Sequence, residues 1–223
     1  MKIRVTKTWN PLADSFQLTK HEIESQVLSD LSKYRQRYHE RYGKPAQIPL
    51  DVDNFVQELW GFSISVEAVP QEIEEEEILG FLRPENKQVV VDENCTNQKR
   101  ISFTIGHEAG HLSLHGPLFK KENGVIVGWA SIPKSRNKNK LDTAHHRREW
   151  QANVYAGALL APEIEVRSLL AGLGLVKNSV LSSFNLNDHF GVFETRFGLS
   201  RQALEIRLGH LGIPFYGARY RTV

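Results

Sequence analysis

At 223 residues the chain is long enough for one substantial core, or for a core with a helical appendage. Its net charge of +2 is too small to indicate nucleic-acid binding by bulk electrostatics. Cys95 is the only cysteine, which excludes an internal disulfide and suits a reducing cytoplasm; it falls in a polar loop and is interpreted as an incidental thiol. No apolar run has the character of a secretion signal or of a bilayer-spanning segment, so we expect a cytoplasmic protein without membrane association.

The N-terminal part, residues 1–44, is predicted to be an arm followed by an amphipathic helix. The sequence IRV at residues 3–5 predicts a short strand. Thr19 and Glu22 have the spacing of a capping box at the start of a helix. That helix would bury one stripe of apolar side chains and end near Gly43. The stripe comprises Ile23, Val27, Leu31, Tyr34 and Tyr38.

A short helix, a strand and a hairpin are predicted next. LDVDNFVQELWG has helical spacing and stops at Gly61, and FSISVEAV alternates as a strand does. The acidic run QEIEEEE is interpreted as a solvated loop. ILGFLRP and QVVVDE flank a turn and predict a β-hairpin, so a small antiparallel sheet precedes the next helix.

The stretch ISFTIGHEAGHLSLHG contains His107, Glu108 and His111 in the order H-E-x-x-H. On a helix, residues four apart are separated by only about 40° and about 6 Å of rise, so both imidazoles can reach one zinc ion. Glu108 would lie beside the ion and take the proton from the zinc-bound water. The alternative is a buried helix with two hydrogen-bonded core histidines.

A third protein ligand has two candidates. His115 repeats the spacing, but about 12 Å of helical rise separates it from His107, whereas two nitrogens on one zinc lie at most about 4 Å apart. We expect His115 to hydrogen-bond the helix end or to lie on the surface. Glu149 is preferred because it opens the predicted helix REWQANVYAGALL, with Asn153 one turn later to hold a histidine ring; an ordinary exposed glutamate is the alternative.

Weaker signals lie around this second helix. VIVGWASIP predicts a strand, and KSRNKNK predicts a solvated basic loop. Asp142 or Thr143 is expected to cap the helix. His145 and His146 lie one turn before Glu149, and their roles stay open.

Residues 166–223 are predicted to be helical, and the segment around GLSRQALEIRL resembles a helix-turn-helix. If it read DNA, Arg201, Gln202 and Glu205 would point outward. Helix pairs of this kind also simply pack on cores, so structural or substrate-docking use is favoured over DNA binding.

Two motifs resemble those of the ImmA/IrrE zinc metallo-endopeptidases. RISFTIGHEAGHLSLH is similar to the family pattern R-x-x-F-T-x-x-H-E-x-G-H-x-x-L-H, and EWQANVYAGALLAP to E-x-x-A-N-x-F-A-x-x-L-L-M-P. The resemblance covers about residues 45–165 and implies His107, His111 and Glu149 as zinc ligands with Glu108 as catalytic acid and base. It also implies one partner protein as substrate, often a transcriptional repressor. Tyr155 and Ala161 depart from the pattern at the usual Phe and Met.

The sequence therefore predicts an α+β fold in which a small antiparallel or mixed sheet accompanies zincin-like active-site helices. The peptidase core would span residues 45–165, between the N-terminal part and the C-terminal helices. The predicted activity is that of a zinc endopeptidase acting on a specific partner protein, and the resemblance implies a transcriptional repressor as that partner. The alternatives are a DNA-binding or sensory regulator with a structural or vestigial metal site, and a component of a toxin–antitoxin module.

Overall fold

The computed structural model of the chain describes residues 18–69, 79–116, 119–122, 125–129, 138–177, 180–181 and 183–217. The predicted N-terminal strand at residues 3–5, the whole acidic run at residues 71–77 and the first half of the basic loop lie outside these ranges. So do the side chains of Asp142, Thr143 and His145.

Helices make up most of the described residues, and the strands are short. The α-helices are α1 (Lys20–Tyr42), α2 (Val52–Trp60), α3 (Gln98–His115), α4 (Lys138–Leu160), α5 (Glu163–Gly172), α6 (Leu186–Phe197) and α7 (Arg201–His210). The strands are β1 (Ser63–Glu67), β2 (Gly80–Arg83), β3 (Gln88–Asp92), β4 (Phe119–Glu122), β5 (Val125–Trp129), β6 (Val176–Lys177), β7 (Val180–Leu181), β8 (Phe184–Asn185) and β9 (Phe215–Tyr216). The prediction of a mixed α+β fold with a small sheet is confirmed. Among the described residues, no helix has both the length and the apolar character needed to cross a bilayer.

Helix α1 begins and ends where its sequence signals predict. Thr19 accepts a hydrogen bond from the backbone of Glu22 and receives the Glu22 carboxylate in return, which completes the capping box. Gly43 ends the helix in the left-handed conformation, at φ 65°. Its apolar stripe is buried except for Tyr38, which is partly buried, and it packs mainly on α4, so this helix is part of the core.

The three-stranded sheet has the order β1-β3-β2. Strands β2 and β3 form the predicted antiparallel hairpin, but β1 pairs with β3 in parallel, so the sheet is mixed. Gly80 begins β2 close to α3: a Cβ there would lie 2.7 Å from Cγ2 of Thr104. The absence of a side chain at Gly80 therefore lets β2 lie directly against α3.

Helices α3 and α4 form the most extensive helix contact among the described elements. Gly106 faces Ala156, and one turn later Gly110 faces Ala152, where an added Cβ would lie 3.0 Å from the Ala152 Cα. Small residues on both sides allow the two backbones to approach closely. Helix α4 begins at Lys138, so the prediction of a cap at Asp142 or Thr143 was wrong.

The two helices predicted near the C-terminus are present, joined by the turn at Gly198, which has φ 65°. The outward direction that DNA binding would require of Arg201 and Glu205 is not found. Glu205 is fully buried and its carboxylate accepts a hydrogen bond from Arg201 Nε at 2.9 Å, while Gln202 alone of the three is exposed. Arg201 and Glu205 therefore pair with each other within α7 and do not form an exposed polar face.

Arg207 of α7 connects the C-terminal helices to the rest of the core. Its guanidinium is buried, donates to the carbonyl oxygen of Ala161 at 2.9 Å, and forms a two-pronged ion pair with Glu24 of α1. Cys95, predicted to lie in a polar loop, is buried in the core after β3. Both results reflect tertiary packing that local sequence does not report.

Candidate metal centre

Helix α3 presents two imidazoles to one point. Its N-terminus is capped by the Asn97 side chain, which accepts hydrogen bonds from the backbone N–H groups of Lys99 and Arg100. The helix then continues without a break through His107 and His111. Because these residues are four apart, their rings lie on one face, and their Nε2 atoms are 3.0 Å apart.

Helix α4 brings a carboxylate to the same point. Glu149 Oε2 lies 3.0 Å from His107 Nε2, and Glu149 Oε1 lies 3.4 Å from His111 Nε2. The potential ligand atoms of the three residues all lie within 4.8 Å of one another. The structure therefore brings together the three residues that the sequence singled out.

This arrangement fits a zinc ion. Ligand atoms at about 2.0–2.1 Å from a tetrahedral zinc are separated from each other by about 3.3 Å. The two Nε2 atoms are 3.0 Å apart, and each lies 3.0 or 3.4 Å from the Glu149 carboxylate, although the two rings contact different oxygens of that group. Two nitrogens and one carboxylate oxygen are also ligand types that zinc accepts in catalytic sites. The Glu149 side chain is 35% exposed, whereas that of His111 is 9% exposed. The site therefore has a solvent-facing side, on which a water molecule or a substrate could bind.

Hydrogen bonds behind the rings fix which nitrogen faces the site. Nδ1 of His107 lies 2.9 Å from Oδ1 of Asn153. Because an amide oxygen only accepts, this Nδ1 carries a proton, and a neutral His107 ring then keeps its lone pair on Nε2, the nitrogen that a metal ion would take. Asn153 thus lies where the sequence predicted it, one turn after Glu149 and against a histidine ring.

Charges at the site stabilise one another. Burial lowers the pKa of the His107 ring, but its hydrogen bond to Glu149 and the charges of Glu108 and Glu149 outweigh burial and raise that pKa above its ordinary value. Burial also raises the pKa of the Glu149 carboxyl, but its hydrogen bonds to His107 and His111 bring it well below its usual range. A carboxylate that stays ionised beside two imidazoles is a suitable environment for a cation.

Glu108 differs from Glu149 in its surroundings. The residue is 6% exposed. Burial is the main cause that raises the pKa of its carboxyl, although the nearby rings of His111 and His107 act in the opposite direction. A rise of the carboxyl pKa is the direction that suits a group that both accepts and returns a proton, which is the requirement for a general acid and base.

His115 is placed differently from either expectation. The ring is fully buried, its Nδ1 lies 2.9 Å from Nδ1 of His111, and its Nε2 lies 2.9 Å from Oε1 of Gln151. It is therefore neither a surface side chain nor a partner of the helix end. Burial lowers the pKa of His115 to about 4, and the hydrogen bond to Gln151 only partly offsets this. His146 is exposed.

Gln151 is the site-associated residue that sequence reasoning missed. It lies two positions after Glu149, and on a helix such residues point about 200° apart, so no face-based argument connects them. A path through His115 joins its buried amide to the site. No motif or periodicity in the sequence signals that path.

A second buried cluster holds α1 against both site helices. Asp30 of α1 is 3% exposed. Its Oδ2 accepts hydrogen bonds from Ser113 of α3 at 2.5 Å and from Tyr155 of α4 at 3.0 Å. Since Ser113 lies between His111 and His115, this carboxylate stabilises the helix crossing next to the candidate metal centre.

No protein-family model and no curated protein matches the chain. Seven chains of known structure are similar to it. One is a Mycobacterium tuberculosis transcriptional regulator, which is 14% identical over 85% of this chain, with a TM-score of 0.49. The present chain covers 61% of that protein, and a similarity of this size does not distinguish one function from another.

Proposed function

We propose that the protein is a cytoplasmic zinc-dependent endopeptidase that hydrolyses a partner protein. The observation that supports this most is the convergence of His107, His111 and Glu149 within 4.8 Å, with Glu108 following the first histidine on the same helix. The alternative of two histidines that merely satisfy each other in a core fits less well, because a partly exposed carboxylate from a distant helix completes the group.

Each residue has a distinct role in the proposed reaction. His107, His111 and Glu149 would hold the zinc ion, which when bound polarises the scissile carbonyl and makes water more acidic. Glu108 accepts the proton of the attacking water and returns it to the leaving amine. Proton transfer of this kind contributes about 10²- to 10⁴-fold to a rate.

We also propose that α3 and α4 are the two active-site helices of a zincin-like core. Strand β2 is an edge strand of the three-stranded sheet and lies against α3 at Gly80 and Thr104. An extended substrate segment could add to such an edge through backbone hydrogen bonds. Strand addition suits a protein substrate better than a small molecule, and the resemblance to ImmA/IrrE peptidases favours a repressor-type regulator as the partner.

The burial of α7 supports peptidase activity over direct DNA recognition. A helix that enters the major groove needs exposed polar side chains along one face. In this chain Glu205 and Arg207 are fully buried and engaged in ion pairs. We therefore propose that the C-terminal helices serve structure or substrate docking.

Glu108→Gln tests the assignment. The chain purified with added zinc should hold about one equivalent by elemental analysis, and Glu108→Gln should hold the same amount. Cleavage of a proteome-derived peptide library, read as new N-termini by mass spectrometry, should fall at least about 100-fold in this variant. Glu40→Gln, an exposed change on α1, is the matched control and should cleave like the wild type. A wild-type chain that binds no zinc, or a Glu108→Gln variant that cleaves normally, would contradict the proposal.

A further inference from the structure

We propose that His115, anchored by Gln151, is a positioning residue that holds His111 in the tautomer whose Nε2 faces Glu149. This inference rests on the proposed metal centre, because it concerns how that centre keeps its second imidazole ready to bind. His115 itself does not touch the ion in this proposal. It acts only through His111.

The donor and acceptor inventory leads to this tautomer. Oε1 of Gln151 can only accept, so Nε2 of His115 is the donor across their 2.9 Å contact. A neutral imidazole then has its other nitrogen, Nδ1, free to accept. That atom lies 2.9 Å from Nδ1 of His111, which must donate. In a neutral His111 ring the remaining nitrogen, Nε2, is then the one whose lone pair a metal ion would take.

The two proposed zinc-binding histidines of α3, His107 and His111, are thus held by helix α4 in two ways. Asn153 of α4 contacts His107 directly. Gln151 points to another side of α4, and it reaches His111 through the His115 ring. Helix α4 therefore supplies the carboxylate of Glu149 and also fixes the orientation of the His107 and His111 rings. Metal-binding histidines commonly need such a partner on the second ring nitrogen, and its loss typically lowers metal affinity by about 10- to 100-fold.

Burial strengthens the case for a precise role. His115 is fully buried and Gln151 is fully buried, so neither side chain can exchange its partner for bulk water without local opening. A buried histidine that only filled space could be replaced by an aromatic ring of similar size at little functional cost. A positioning histidine could not, because the donor from His111 would lose its acceptor.

Zinc affinity, measured by competition with a chromogenic chelator, separates these possibilities. His115→Phe keeps the ring volume and removes both nitrogens, and it should bind zinc about 10- to 100-fold more weakly than the wild type. His115→Gln restores one acceptor and one donor and should recover much of that loss. Gln151→Met, which leaves His115 in place, should reproduce the defect and carries the test if His115→Phe does not fold. The double variant His115→Phe/Gln151→Met should lose no more zinc affinity than either single variant, because both changes act on the same chain of hydrogen bonds.

The matched control is Leu114→Ala. Leu114 is buried on α3 next to His115, so its truncation destabilises the same helix without removing a polar contact. It should leave zinc affinity within about threefold of the wild type. The visible absorption bands of the Co²⁺-substituted protein give a second readout: they should change in His115→Phe, return toward the wild type in His115→Gln, and stay unchanged in Leu114→Ala.

Three negative results are possible, and they have two different meanings. If the wild type binds zinc and His115→Phe binds it equally well, the positioning role is wrong and the metal centre stands. The role is also wrong if Leu114→Ala loses as much affinity as His115→Phe. If the wild type binds no zinc, both the centre and this inference fail.

Discussion

Replacing Asp30 by Leu tests whether α1 is an integral part of the core around the metal centre. The change removes a buried carboxylate while keeping a side chain of similar size. Tyr155, which is fully buried, and the half-buried Ser113 then lose their hydrogen-bond acceptor. Lys33, the ionic partner of Asp30, is 55% exposed and returns to water at little cost.

The expected loss follows from these contacts. A buried hydroxyl without a partner costs about 1–3 kcal/mol, and the hydrogen bonds to an ionised acceptor are each worth about 1.5–3 kcal/mol. Ser113 can regain water because it is only half buried, and the new Leu side chain gains some apolar burial. We therefore expect Asp30→Leu to lower the free energy of unfolding by about 3 kcal/mol. Tyr155→Phe, which leaves the carboxylate its other partners, should cost about half as much.

Urea unfolding followed by circular dichroism, with a chelator present so that metal binding does not contribute, measures these values. The double variant should lose at least about 1 kcal/mol less than the sum of the single variants, because the two groups share one hydrogen bond. Glu40→Leu, at an exposed position of the same helix, should stay within about 0.5 kcal/mol of the wild type. The reasoning is wrong if Asp30→Leu costs under about 1 kcal/mol, or if its effect adds fully to that of Tyr155→Phe.

Two further predictions concern the helix crossing and acid sensitivity. Gly110→Ala would place a Cβ 3.0 Å from the Ala152 Cα, so it should push α3 away from α4, weaken zinc binding about tenfold and lower the free energy of unfolding by about 1–3 kcal/mol. The control Gly106→Ala meets ordinary contacts from 3.5 Å and should change neither quantity. Chelator competition measures zinc binding and urea unfolding measures stability; equal behaviour of the two variants would refute the steric argument. In the metal-free protein the pKa of His115, about 4 against an ordinary 6.5, means that the unfolded chain binds this proton more readily. The contribution of neutral His115 to the free energy of unfolding is fully present above pH 6.5 and is lost as the pH falls toward 4, by at most about 3 kcal/mol. The free energy of unfolding should therefore fall more steeply with pH over that range in the wild type than in His115→Gln. If the free energy of unfolding depended on pH in the same way in both proteins, this prediction would be contradicted.

Much of the local structure could be predicted because its causes are local. The capping box of Thr19 and Glu22, the left-handed Gly43 and Gly61, and the β2–β3 hairpin depend on residues a few positions apart. The same is true of His107 and His111, since helical geometry alone places residues four apart on one face.

Other features required contacts between distant segments. The parallel pairing of β1 with β3, the burial of Cys95, and the inward direction of Glu205 all depend on which surfaces meet. The position of Glu205 in the helical repeat is equally compatible with an exposed side chain. Its burial follows from the packing of α7 on the core and its ion pair with Arg201.

By itself, the sequence determined that one helix would present the imidazoles of His107 and His111 on one face, with the Glu108 carboxylate beside that face, because the helical repeat is set by backbone hydrogen bonding. It also marked Glu149 and Asn153 as neighbours on a second helix. Only the tertiary structure decided that the helices cross at Gly110 and Ala152, close enough for Glu149 to lie 3.0 Å from His107. The same crossing placed the amide of Gln151 behind His115, since a contact between two helices is set by the side chains packed at their interface.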